Sequence, residues 1–79
     1  MSHSKYVLPY RETPSLDIAR QTVGKKEYHL VWHGMSTIKW CNYYSAGWFD
    51  TKEEAMADLD KNLIKLGYVI LTEEQALLI

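Results

Sequence analysis

Residues 50–67 carry a full set of signals for one amphipathic helix, and that helix limits what the rest of the chain can become. Asp50 or Thr51 supplies a capping side chain, and each has a glutamate three positions on, Glu53 or Glu54. Ala55, Met56, Leu59, Leu63 and Leu66 recur at three- and four-residue steps. Glu53, Glu54, Asp58, Lys61 and Lys65 fall mostly on the other face. The acids come early and the lysines late, which suits the helix dipole, and Gly67 is a natural stop. The spacing predicts a helix over residues 52–66. A chain of 79 residues has room for one domain only. One helix of that length covers one face of a small sheet, so the other face needs a different cover.

The centre of the chain supplies that sheet. Residues 27–33 read as a strand, residues 34–37 as a turn and residues 38–45 as the returning strand. With a symmetric loop, His33 faces Ile38, Val31 faces Trp40 and His29 faces Asn42. The opposite face then sets Tyr28 beside Tyr43, Leu30 beside Cys41 and Trp32 beside Lys39. A slip of one residue exchanges the two faces.

The flanks are less uniform. Residues 1–5 read as a loose leader, and residues 6–8 as a short strand that Pro9 confines to an edge or an end. Thr13, Pro14 and Gly24 bracket residues 14–23 as a helix with Leu16, Ala19 and Val23 on one side. The β-branched Ile18, Thr22 and Val23, followed by a turn at Gly24, Lys25 and Lys26, describe a hairpin strand instead. The helix is the preferred expectation and the strand its alternative. Residues 68–71 form a short apolar strand. Thr72 and Gln75 have capping-box spacing, which predicts a last helical turn over residues 73–78. Leu77, Leu78 and Ile79 are then expected to dock on the body or on a partner. The expected architecture is α+β in a single domain over residues 1–79. A small antiparallel sheet, the central hairpin plus a C-terminal strand, packs against one long amphipathic helix, with a short N-terminal helix.

Composition narrows the function classes. Nine Lys and Arg against ten Asp and Glu give a net charge of −1, without the basic excess of a phosphate-gripping protein. Cys41 is the only cysteine, so no disulfide framework exists within one chain. No apolar run approaches the ~20 residues that span a bilayer, and no secretory leader is recognisable. A cytoplasmic, soluble protein without a membrane partner is the expectation.

Each candidate for chemistry has a structural reading that fits better. On a strand, His29 and His33 share a face but lie about 13 Å apart, too far to share one metal. Cys41 has no motif, oxyanion loop or third group around it, and in the register above it points away from both histidines. The four glycines are widely spaced and make no phosphate loop. No catalytic residue, metal or cofactor is therefore assigned.

The aromatic side chains carry more. Tyr28, Trp32, Trp40, Tyr43, Tyr44, Trp48 and Phe49 all fall within 22 residues. Tyr and Trp are the residues enriched at binding hot spots, and the alternative reading is that both sheet faces are core, as when a second helix packs on the far side. Trp32, Trp40, Tyr43, Tyr44 and Lys39 are the candidate partner-binding residues. Residues 47–55, Gly-Trp-Phe-Asp-Thr-Lys-Glu-Glu-Ala, resemble the strand-to-helix junction of the AP2 and integrase arm-type DNA-binding domains. That resemblance implies a three-stranded antiparallel sheet followed by a helix, with DNA read by the sheet. It covers nine residues, and the arginine-rich strands of those families are absent here. The same junction is similar to the core of HicB-type antitoxins. The expected function is a noncatalytic protein-interaction module, of the kind that phage and plasmid products use to inhibit a host protein. The alternative is nucleic-acid binding by stacking on the hairpin aromatics, helped by Lys25, Lys26 and Lys39.

Overall fold

The computed structural model describes residues 5–14, 17–25, 27–34 and 38–78. Five strands and two helices follow in the order β1 (Tyr6–Val7), β2 (Ile18–Gln21), β3 (Tyr28–His33), β4 (Trp40–Asn42), α1 (Lys52–Lys65), β5 (Val69–Ile70) and α2 (Glu73–Ala76). The fold is α+β, as the sequence predicts.

The helix α1 forms for the local reasons its sequence advertises. The Thr51 side chain accepts from the Glu54 N–H, and Glu53 and Glu54 sit in the first turn with Lys65 in the last. Gly67, at φ +92°, takes the left-handed conformation that ends the helix. The Tyr68 N–H then turns back to the Leu63 carbonyl at 3.0 Å. Ala55, Leu59 and Leu63 are fully buried and make the core with Val7 and Val31. Burying a leucine of this kind contributes roughly 1.5–3 kcal/mol. Leu66, expected on the buried stripe, is exposed as the helix ends.

The expected helix over residues 14–23 is not formed, and the alternative strand is. Antiparallel β2 pairs with β3, Ile18 opposite Val31 and Gln21 opposite Tyr28. Alternation explains the choice. Ile18, Arg20 and Thr22 point to the helix side, while Ala19 and Gln21 take the other, and β-branched Ile18 and Thr22 suit a strand. Arg20 is the anchor. Its guanidinium grips Asp60 of α1 through Nε at 2.7 Å and Nη2 at 3.1 Å, and donates from Nη1 to the Leu8 carbonyl at 2.7 Å. The Tyr10 hydroxyl donates to the same carboxylate, and its ring lies 4.0 Å below the guanidinium. A charge buried this deeply is tolerated because every contact is paired.

The hairpin register differs from the symmetric one by two residues. Val31 pairs with Asn42, Trp32 with Cys41 and His33 with Trp40. A shift of two preserves the pleat, so the faces come out as expected from the sequence. His29 and Val31 face α1; Tyr28, Leu30 and Trp32 face away. Of the expected turn over residues 34–37, only Gly34 lies within the described residues.

The C-terminal strand is the other departure. β5 does not join the hairpin but pairs in parallel with β1, Tyr6 opposite Val69 and Val7 opposite Ile70. The chain after β1 also runs along β2, through Leu8 N–H to Gln21 O, Val23 N–H to Tyr6 O and both bonds between Arg11 and Ala19. The outer edge of β4 is met by Phe49, which exchanges both backbone bonds with Trp40. With both flanks of the hairpin taken, the free edge left for β5 is that of β1. Lys5, placed in the expected leader, holds β5 with its carbonyl and the Leu66 carbonyl with its ammonium. Residues 1–4 lie outside the described residues. Thr72 and Gln75 form the expected capping box of α2. Leu77 and Leu78, expected to dock, are 84% and 87% exposed, and Ile79 lies outside the described residues. Among the described residues no helix is long and apolar enough to cross a membrane.

Candidate functional site

The tyrosines converge where β3 begins, β4 ends and α1 has just terminated. Asn42 arranges the meeting. Its buried side chain donates to the Ala55 carbonyl at 2.8 Å and to Asp58 at 3.1 Å. Its carbonyl oxygen accepts from the N–H groups of Tyr44 at 2.9 Å and Ser45 at 2.8 Å. That Asx-type turn bends the chain out of β4 and splits Tyr43 from Tyr44. Tyr43 stays 62% exposed, edge-on to Tyr44; Tyr44 goes inward to His29. The Gly67 turn brings Tyr68 to the same place from the far end of α1.

His29 is the hub. Tyr44 stacks on its ring at 5.6 Å, and Tyr43 and Tyr68 meet it edge-on at 6.4 and 5.3 Å. Hydroxyl groups of Tyr44 and Thr22 lie at Nδ1 and Nε2, 2.9 and 3.3 Å away. Two hydroxyls satisfy a neutral imidazole in either tautomer. Burial holds the His29 pKa below its usual value, with the negative Glu27 opposing. Burial also pushes the Tyr44 hydroxyl up, aided by Tyr68, Tyr43 and Glu27. Glu27, Tyr28, His29, Tyr43, Tyr44 and Tyr68 line an open pocket of about 370 Å³.

A second cleft, about 560 Å³, opens at the other end of the sheet beside the start of α1. Trp40 forms its apolar floor with Ile18, and Glu12, Asp17, His33 and Lys52 its polar rim. His33 Nδ1 lies 2.7 Å from Asp17 Oδ2, an exposed hydrogen-bonded pair. Such a pair orients an imidazole for proton transfer, but the one thiol is not within reach. Cys41 pairs with Trp32 and so lies on the opposite face of the sheet, and burial raises its pKa. Among the described residues no three metal-ligating side chains gather.

The five candidate binding residues therefore separate. Tyr43 and Tyr44 meet at the tyrosine pocket. Trp32 is half-buried on the outer face, and Trp40 faces the second cleft with its ring 5.9 Å from the Lys52 ammonium. Lys39 is ion-paired with Asp50. Sequence reasoning missed Glu27, Tyr28, His29 and Tyr68 as members of the site, Tyr28 being counted among the aromatics but not among the candidates and His29 being read as structural. Tyr68 lies beyond the aromatic cluster in sequence, and its position directly after the helix-ending glycine is the signal that placed it. Around the pocket, β2, β3 and β4 followed by α1 reproduce the sheet-then-helix order that the DNA-binding resemblance implies. The outer sheet face carries Ala19, Gln21, Tyr28, Leu30, Trp32 and Cys41, of which Ala19 and Cys41 are buried and none is cationic. No family model matches this chain, and neither a curated protein nor a solved structure does.

Proposed function

We propose that this chain is a noncatalytic protein-interaction module that engages its partner through the tyrosine end of the sheet. The observation that supports it is convergence: four tyrosines from three separate segments line one open pocket. Tyr28 and Tyr43 are the exposed members of that pocket, open to a partner. Amphipathic rings with few rotatable bonds lose little entropy on binding and bury much area. The nucleic-acid alternative is less well supported. Lys39 is paired with Asp50, Arg20 is buried on the helix side, and of the other two candidate cations Lys25 makes only a weak exposed pair with Glu27 and Lys26 lies outside the described residues. Phosphate binding needs cations free to release counterions.

Affinity capture with single alanine variants tests the proposal. A partner held by the wild-type chain and by Lys61→Ala, on the exposed side of α1, should be lost with Tyr28→Ala and Tyr43→Ala. Nuclease treatment should leave the capture intact. Equal recovery with both tyrosine variants, or loss on nuclease treatment, overturns the proposal.

A further inference from the structure

The tyrosine pocket has the makeup of a cation box. Tyr44 lies stacked on His29 at 21°, and the other ring pairs stand at steep angles: Tyr43 to Tyr44 at 90°, His29 to Tyr43 at 79° and His29 to Tyr68 at 71°. Aromatic faces carry negative potential, and a group of rings set at angles attracts a compact cation from several sides. Glu27 adds a carboxylate to the wall, and among the described residues no lysine or arginine lines the space. The Lys25 ammonium stands 3.6 Å from Glu27, but both side chains are half exposed, so that pair is weak and separable. His29, the one basic group in the lining, is satisfied as the neutral ring by Tyr44 and Thr22. Tyr68 already takes an ammonium on its ring, that of Lys5 at 4.9 Å from the centroid. The volume, about 370 Å³, is at the small end of ligand sites.

We infer that the pocket formed by Tyr28, Tyr43, Tyr44, Tyr68 and Glu27 binds an alkylated ammonium group. A fully alkylated head is favoured over a bare ammonium because it sheds its water more readily and needs no hydrogen bonds from the ring faces, with Glu27 supplying the opposing charge. The chemistry is shared by a methylated lysine side chain and by a free quaternary amine such as choline. The inference rests on the tyrosine end being the binding surface, and it adds what that surface recognises.

Titration followed by NMR tests it, reading the aromatic resonances of the four tyrosines. Tetramethylammonium, choline, a short peptide with one trimethyllysine and the same peptide unmodified are the probes. The neutral isostere of choline, 3,3-dimethylbutanol, separates charge from shape. Choline should bind about fivefold or more tightly than the isostere, a ratio expected of cation–π attraction. Tyr43→Ala should abolish the response, Tyr43→Phe should keep it, and Glu27→Gln should weaken it several-fold. Trp48→Ala, an exposed aromatic outside the pocket, should leave it unchanged. Because the Tyr43 ring is mostly exposed, its variants keep the fold. Tighter binding of the trimethyllysine peptide than of choline assigns the head group to a protein side chain; the reverse order assigns it to a small metabolite. No response to any of the cations, equal binding of the isostere, or an unaltered response in Tyr43→Ala overturns the inference. Failure here with partner capture still dependent on Tyr43 removes the cation chemistry alone, whereas loss of both removes the surface.

Discussion

His29 sits between two roles, structural hub and titratable group, and its surroundings decide between them. A hydroxyl at each ring nitrogen and aromatic rings on three sides favour the neutral imidazole. Burial accordingly lowers its pKa below the ordinary 6.5, which the unfolded chain regains. Below that value the unfolded state takes up a proton that the folded state resists. Stability is thus fully present above about pH 6.5 and declines as the pH falls through the folded pKa. Urea midpoints measured from about pH 7.5 down to about pH 5 should fall in the wild type. They should fall less steeply in His29→Gln, which keeps polar partners for Thr22 and Tyr44 but does not titrate. Parallel slopes in the two proteins would show that the imidazole is not the group responsible. The sequence placed His29 on a strand face away from Cys41, and the structure agrees. Its hydroxyl partners were not legible, because Thr22 lay in a segment read first as helix and Tyr44 depended on the register.

At the level of elements, what was legible is what the local sequence dictates. The ends of α1 and the capping box of α2 involve residues three or four apart, and both form where the spacing puts them. Strand β2 was ambiguous because its deciding partner, Asp60, is 40 residues away from Arg20. The hairpin register was missed by two residues because the end of β4 is set by Asn42 reaching α1, and not by the turn alone. Asn42 therefore joins two elements and shapes the tyrosine pocket at once. Replacing it with alanine removes the acceptor of the part-buried Tyr44 N–H, leaves the Ser45 N–H only its long bond to the residue-42 carbonyl, and cuts the tie to Ala55 and Asp58 of α1. The expected cost is roughly 2–4 kcal/mol, with loss of the Tyr43 and Tyr44 arrangement. Asn42→Asp keeps the turn acceptors but sets a carboxylate against Asp58, now 3.1 Å from the Asn42 amide. Pairing it with Asp58→Asn should recover part of the lost stability. A double-mutant cycle by chemical denaturation measures that coupling, and additive losses would contradict it.

Across the whole molecule, the sheet is held together from its ends inward. Strand β1 lies between β2 and β5, and it is the one element hydrogen-bonded to both the hairpin side and the C-terminal side. Val7, its second residue, is fully buried in the same cluster as Val31, Leu59 and Leu63. The β1 pairing with β5 spans almost the entire chain, so nothing in the local sequence of either strand announces it. Two consequences follow from such closure. Loss of β5 leaves β1 with an unpaired edge and uncovers the end of α1, where Tyr68 and Leu71 pack. It also removes a wall of the tyrosine pocket. A chain ending at Gly67 should consequently lose the cooperative transition of the full protein, although the hairpin and α1 remain intact in sequence. In the full-length chain, helix loss by far-UV circular dichroism and sheet loss by tryptophan fluorescence should coincide across a urea titration. In the shortened chain the two should separate, or a folded baseline should be missing. A sharp, coincident transition after removal of residues 68–79 would show that the hairpin and α1 are an autonomous unit and that β1 and β5 only decorate it.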